Sequence, residues 1–135
     1  MDMIVDFPGG SRVDAHFGNF TVKTDQPKEG GEDGSAPTPF DTFLASLGTC
    51  AGIYVLGFCR HRGVDPAGIR LVQKSEEDPG TGLVARISLD IQLPAGFPEK
   101  YRAAVIQAAE LCKVKKHFEH PPAIEVTTSI IVSGN

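Results

Sequence analysis

The sequence predicts an α+β domain. Three observations carry this. Strand-like alternation broken by turn residues opens the chain, a charge-free stretch of helical length follows, and a second hairpin pattern, a second helix pattern and a last alternating run complete it. No internal repeat or linker divides the 135 residues, so one domain spanning 1–135 is expected.

The elements follow in order. Residues 3–7 are short and apolar, and Pro8-Gly9-Gly10 is a turn signal. Residues 11–17 alternate, with Val13, Ala15 and Phe17 on one face and Arg12, Asp14 and His16 on the other. Gly18-Asn19 turns the chain into a third strand at 20–24, which makes an antiparallel meander. Residues 25–37, DQPKEGGEDGSAP, form a polar loop, long enough to be either a mobile connector or a functional lid.

Thr38-Pro39-Phe40-Asp41 has the form of a helix start: Thr as N-cap, Pro at the first helical position and an acid three residues after the cap. The chain then carries no charge from Thr42 to Cys59 and closes on Arg60-His61-Arg62-Gly63, cations and a C-terminal Gly that suit a helix end. A helix of roughly six turns follows, at about 3.6 residues per turn. A membrane span has this length, and Gly48-x-x-x-Gly52 occurs in membrane dimers. Thr42, Ser46, Thr49, Tyr54 and the interspersed glycines favour instead a helix buried on nearly all sides of a soluble domain. Such burial in so small a domain favours a partner subunit.

Beyond Gly63, residues 69–75 and 84–93 read as a hairpin, with Ala85, Ile87, Leu89, Ile91 and Leu93 on one face. A second helix is expected over about 98–112, with Tyr101, Val105, Ala108 and Cys112 along its inner face. A short basic turn at 113–120 ends at Pro121-Pro122, and residues 124–132 alternate as a final strand.

Composition narrows the function. The chain is 41% hydrophobic and 22% charged, ordinary for a soluble domain. A net charge of −4 argues against nucleic acid, whose phosphates call for a basic surface. The opening MDMIVDFPGG has neither the cationic region nor the apolar run of a secretory signal, so a cytoplasmic location is expected. In that reducing setting three cysteines do not describe a disulfide framework; they are buried apolar residues, metal ligands or reactive thiols.

Cys50 and Cys59 lie nine residues apart, on opposite sides of the long helix, and do not pair with each other. Cys50 shares its face with Phe43, Leu47 and Tyr54, and Cys112 follows 62 residues later on another apolar face. Two thiols on the inner faces of two helices meet if the helices pack together. Inert burial explains each cysteine equally well, and Cys59 best of all. No Cys-x-x-Cys pair or common zinc spacing is present among Cys59, His61, Cys112, His117 and His120, and no metal is expected. No motif ties His16, His61, His117 or His120 to a cysteine as a hydrolase would.

Thr38-Pro39-x-Asp41-x-x-Leu44-Ala45-Ser46-x-Gly48-x-Cys50 resembles the Ser-Pro-x-Glu-x-Leu-x-Ala-x-x-x-x-Cys segment of the OsmC/Ohr superfamily, the osmotically induced and organic hydroperoxide resistance proteins. A long apolar helix with the first cysteine, and a second cysteine roughly sixty residues on, belong to the same likeness. The resemblance implies an OsmC-like fold in an intertwined homodimer, with the long helices central and the sites at the subunit interface. It implies peroxidase chemistry: Cys50 attacks an organic hydroperoxide as a thiolate and becomes a sulfenic acid, and Cys112 condenses with it to a disulfide. A dithiol reductant, in several members a lipoyl protein, restores the pair, with no cofactor.

The family activates its first cysteine with an arginine and a carboxylate. Asp41 falls where many members carry the Glu, and Arg12 is the candidate arginine, with Arg60 and Arg62 as alternatives at the far helix end. Asp41 also reads as a helix-capping residue and Arg12 as a solvated strand residue. The chain departs from the best-studied members in its shorter acid and in Lys113-Val114-Lys115-Lys116-His117, a run that lowers the Cys112 pKa, binds an anion or is simply solvated. Two other readings stay open: a non-catalytic dimer with an apolar ligand between its helices, and a thiol protein that handles persulfide sulfur.

Overall fold

A computed structural model describes residues 1–132 of the chain. The order is strands β1 (Ile4–Gly9), β2 (Arg12–Phe17) and β3 (Phe20–Thr24), helix α1 (Pro39–His61), strands β4 (Arg70–Glu77) and β5 (Val84–Gln92), and helices α2 (Arg102–Glu110) and α3 (Lys113–Glu119). The α+β class is the one the sequence predicts.

β1, β2 and β3 form an antiparallel meander in that order. Phe17 pairs with Phe20 across the two-residue turn, where Gly18 has φ 54°, the left-handed first position that such a hairpin needs. The loop after β3 is stitched rather than loose. The Asp25 carboxylate accepts from the Gln26 amide (2.8 Å) and the Ser35 amide (2.9 Å), and the Ser35 hydroxyl donates to it at 2.5 Å. The Asp25 amide in turn donates to Pro37 at 3.1 Å, which closes the loop at the door of α1.

α1 starts and stops where its sequence says. The Thr38 hydroxyl accepts from the Asp41 amide at 3.1 Å, and Pro39 holds the first helical position. At the other end the Val64 amide reaches Cys59 (2.8 Å) and the Gly63 amide reaches Arg60 (3.4 Å), with Gly63 at φ 65°. That is a Schellman cap. By length and composition α1 is apolar enough to cross a membrane, with mean hydropathy 1.6. In the fold, Leu47, Ala51, Val55, Phe58 and Cys59 form its buried face.

The core lies between α1, α2 and the β4–β5 hairpin. Val55, Phe58 and Cys59 close on Val105 of α2, and Leu47 and Ala51 close on Cys112; Leu71 of β4 touches both groups. β1–β3 contribute no buried residue to either group, and β1 is exposed along its length.

Three expectations are corrected. The second helix does not reach Cys112: a 3₁₀ turn at Glu99–Tyr101 leads into α2, which ends at Glu110. Cys112 is extended (φ −48°, ψ 126°) and caps a third helix, α3, where the sequence suggested a turn. α3 is short, and what it adds is tertiary packing: Phe118 stacks on Phe43 of α1 with ring centroids 5.6 Å apart. Finally, residues 124–132 form no strand. Ile124, Val126, Ile130, Ile131 and Val132 are 85–91% exposed, because alternation makes a strand only beside a free edge and these residues pair with none of the chain's described strands.

Candidate active site

The two thiols of interest meet. Cys50 lies on the fourth turn of α1 and packs on the cluster that contains Cys112, which sits at the break between α2 and α3. Cys112 is 1% exposed and its thiol points to the Leu47 carbonyl at 3.9 Å. Cys50 is partly exposed. The apolar residues packed on this cluster are Leu71, Ile87 and Leu89 from the second hairpin, Ala109 from α2 and Val114 from α3.

The same junction treats the two sulfurs oppositely. Burial opposes ionisation of Cys50, but the Val114 amide, the Cys112 thiol, the Lys113 amide and the Lys113 ammonium outweigh it, and its pKa falls below that of an ordinary thiol. For Cys112, burial is the larger effect; with the neighbouring Cys50 sulfur it outweighs the Lys115 and Val114 amides, and the pKa rises. The basic run therefore favours the thiolate on Cys50 and not, as one expectation had it, on Cys112. Cys59 is 0% exposed in the apolar core, and burial raises its pKa, as inert packing requires.

The expected activating pair is not joined within this chain. Arg12 donates to Asp14 at 2.6 Å, and Asp14 is buried. The same guanidinium helps hold Asp25 ionised, after the Ser35 hydroxyl, the Ser35 amide and the Gln26 amide. Asp41 is exposed on the first turn of α1, where its amide serves the Thr38 cap. Of the alternatives, Arg62 lies over the Phe58 ring at 4.0 Å, and Arg60 is exposed. Among the described residues no cluster of three or more His, Cys, Asp or Glu is poised to hold a metal ion.

Sequence reasoning overlooked the amides of Lys113 and Val114, because main-chain donors leave no mark in a sequence unless the helix they open is recognised. It also overlooked Asp14 and Asp25, which are buried, while the Oδ1 of Asp14 has no donor among the described residues. A cavity of about 410 Å³ opens beside the thiol pair's neighbours, lined by Ala51, Leu89, Val105, Ala109 and Lys115.

A family model described as OsmC-like protein matches residues 31–127, which include both Cys50 and Cys112. No curated protein matches the chain in sequence. Several solved structures resemble it in fold. One, from Psychrobacter arcticus 273-4 and described as an osmotic stress induced and detoxification response protein, has TM-score 0.71 at 23% identity over 84% of this chain and 85% of that one. An OsmC-like protein from Mycoplasma pneumoniae has TM-score 0.70 at 13% identity over 89% and 87%. A protein from Legionella pneumophila, described as the organic hydroperoxide resistance protein OsmC, predicted redox protein and regulator of sulfide bond formation, has TM-score 0.54 at 19% identity over 87% and 89%. The architecture and the family match agree, and the chain belongs to the OsmC-like protein family.

Proposed function

We propose that this protein is a thiol-dependent peroxidase that reduces organic hydroperoxides, with Cys50 as nucleophile and Cys112 as resolving thiol. One observation carries the reading: two free cysteines from distant parts of the chain come together, Cys50 packed on the cluster that holds the buried Cys112, in surroundings that lower the pKa of Cys50 and raise that of Cys112. Family membership supports a redox or peroxide-resistance role in general terms.

The chemistry closes on these two sulfurs. The Cys50 thiolate attacks the terminal oxygen of R–O–OH; the O–O bond breaks, a sulfenic acid forms, and the alkoxide takes a proton to leave as alcohol. The Cys112 sulfur then attacks the sulfenic sulfur, expelling hydroxide that takes the Cys112 proton to leave as water, and a disulfide forms. An external dithiol reduces that disulfide and is itself oxidised, so each cycle consumes one hydroperoxide and one dithiol. A lipoyl protein fits that last requirement. A second copy of the chain belongs to the same reading: β1 and residues 124–132 offer exposed apolar segments of strand-forming sequence, and the buried Oδ1 of Asp14 lacks a donor among the described residues.

The test is stoichiometric. One equivalent of cumene hydroperoxide, followed by peptide mapping, should yield a Cys50–Cys112 disulfide with Cys59 still free. Both thiols unchanged after treatment would refute the proposal, and a persulfide on Cys50 would point to sulfur handling instead. Sedimentation equilibrium should find a dimer.

A further inference from the structure

α3 turns one side to α1 and the other to solvent. Val114 packs on the thiol cluster and Phe118 stacks on Phe43 with ring centroids 5.6 Å apart, so this side of the helix is docked. At about 100° per residue, positions 115 and 116 fall away from that side. Lys113, Lys115, Lys116 and His117 are all exposed, and none of their side chains joins an ion pair among the described residues. Two acids flank the run without interrupting it, Glu110 at the end of α2 and Glu119 at the end of α3. The chain carries a net charge of −4, so this run is a local reversal of sign. An apolar patch adjoins the cations. Phe40, Phe43 and Phe118 stack in series, 5.6 Å apart at each step, and each remains about half exposed. Phe43 leads along the same side of α1 to Cys50, about two turns further on, and Cys50 is the accessible thiol of the pair. Exposed aromatic rings rimmed by charge have the makeup of a protein-docking surface.

We propose that the outer face of α3, with the Phe40–Phe43–Phe118 patch, docks an acidic protein carrying the dithiol that reduces the Cys50–Cys112 disulfide. This rests on the reading of the two cysteines as a disulfide pair. The sign of the run selects an acidic partner, and the aromatic patch beside it calls for a macromolecule rather than a free anion. A thiolate of the partner attacks Cys50; the S–S bond breaks, the Cys112 sulfur leaves and takes a proton, and a mixed disulfide forms. The partner's second thiol then attacks its own sulfur in that bond, and Cys50 leaves and takes the second proton. The chain gains two electrons, and the partner loses them and ends as a disulfide.

The experiment uses the full chain with its disulfide formed by diamide, and follows reduction by thiol alkylation and mass spectrometry. The probes are a Cys-x-x-Cys peptide flanked by glutamates and the same peptide flanked by glutamines. At an ionic strength of about 0.01 M the glutamate peptide should reduce the parent about tenfold faster, and the advantage should vanish at about 1 M. Lys115→Glu combined with Lys116→Glu should remove the advantage and leave the glutamine peptide at its parent rate; acids suit the first turn of a helix, so α3 should keep its fold. Equal rates of the two peptides on the parent, or an equal loss with both on the variant, would overturn the proposal. Should the variant fail to fold, the salt dependence on the parent decides. Loss of the dimer in the folded variant would assign this face to a second copy, and lysine-dependent binding to phosphatidylglycerol vesicles without the peptide preference would assign it to a membrane; either result overturns the proposal. No Cys50–Cys112 disulfide with diamide would retire this proposal and the peroxidase reading together, whereas a disulfide with diamide and none with hydroperoxide would retire the peroxidase reading alone.

Discussion

Oxidation should make this protein markedly harder to unfold. Cys50 packs on the cluster that holds Cys112 while both are reduced, so a bond between them asks for little movement of α1 or α3. The bond would close a loop of 62 residues' separation, and a crosslink removes entropy from the unfolded chain in proportion to the logarithm of the loop. The chain-entropy relation gives about 4 kcal/mol for a loop of this size, as an upper value. With a urea slope of about 2 kcal/mol per molar, the unfolding midpoint should rise by up to roughly 2 M. The assay is urea unfolding of reduced protein and of protein treated with one equivalent of cumene hydroperoxide, at one protein concentration because a dimer's midpoint depends on it. Cys112→Ser should abolish the rise. A midpoint that stays put or falls, in protein whose peptide map shows the disulfide, would mean that the native arrangement must distort to form the bond, and the contact argument would fail.

Other perturbations test other parts of the chain. Val105→Ala removes two methylene-sized groups from a fully buried site against Val55, Phe58 and Cys59 and should cost about 2 kcal/mol, whereas Ile106→Ala, half exposed, should cost well under half of that in the same urea experiment. Ser35→Ala removes the largest influence that lowers the Asp25 pKa. A carboxylate lowered by folding contributes stability above its unfolded pKa of about 3.9 and loses it as pH falls through the folded value. The variant's stability deficit should therefore be larger at about pH 5 than at about pH 2, and equal deficits would exclude the Asp25 anchor. Cys59, with its pKa raised by burial, should resist iodoacetamide in the native protein at about pH 8 while Cys50 reacts, and should be modified only in denaturant.

What could be read in advance was what local rules control. Thr38, Pro39 and Gly63 mark both ends of α1 by cap chemistry that depends on the chain within a few residues, and the structure places both ends there. The period-two alternation of residues 84–92 likewise puts Ile87, Leu89 and Ile91 on the inner side of β5. The losses are where tertiary contacts decide. Glu110-Leu111-Cys112-Lys113 contains no Gly or Pro, so nothing announces that α2 breaks before Cys112. α3 depends on an aromatic contact with a residue 75 positions away, between Phe43 and Phe118. The Asp25 anchor spans ten residues of a loop whose composition resembles any flexible connector. Alternation also misplaced the interior of β2: the face that looks polar carries the buried Asp14, because Arg12 neutralises it.

The break before Cys112 is therefore the feature that matters most for chemistry. Had α2 continued through residue 112, Cys112 would present its thiol among helical neighbours whose amides are all committed to carbonyls four residues back. By ending α2 and starting α3 at this residue, the chain leaves the amides of the new helix's first turn uncommitted, and those of Val114 and Lys113 help to lower the Cys50 pKa. The same short stretch offers amides to both sulfurs, but burial prevails at Cys112 and the donors prevail at Cys50. On the proposed reading, opposite displacements assign the roles: the sulfur whose pKa is lowered is the one that attacks, and the one whose pKa is raised keeps its proton until an electrophilic sulfur appears beside it. A symmetric pair, both sulfurs equally exposed or equally buried, would carry no such order. The asymmetry set by one helix break is thus the physical argument for Cys50 as nucleophile and Cys112 as the thiol that resolves it.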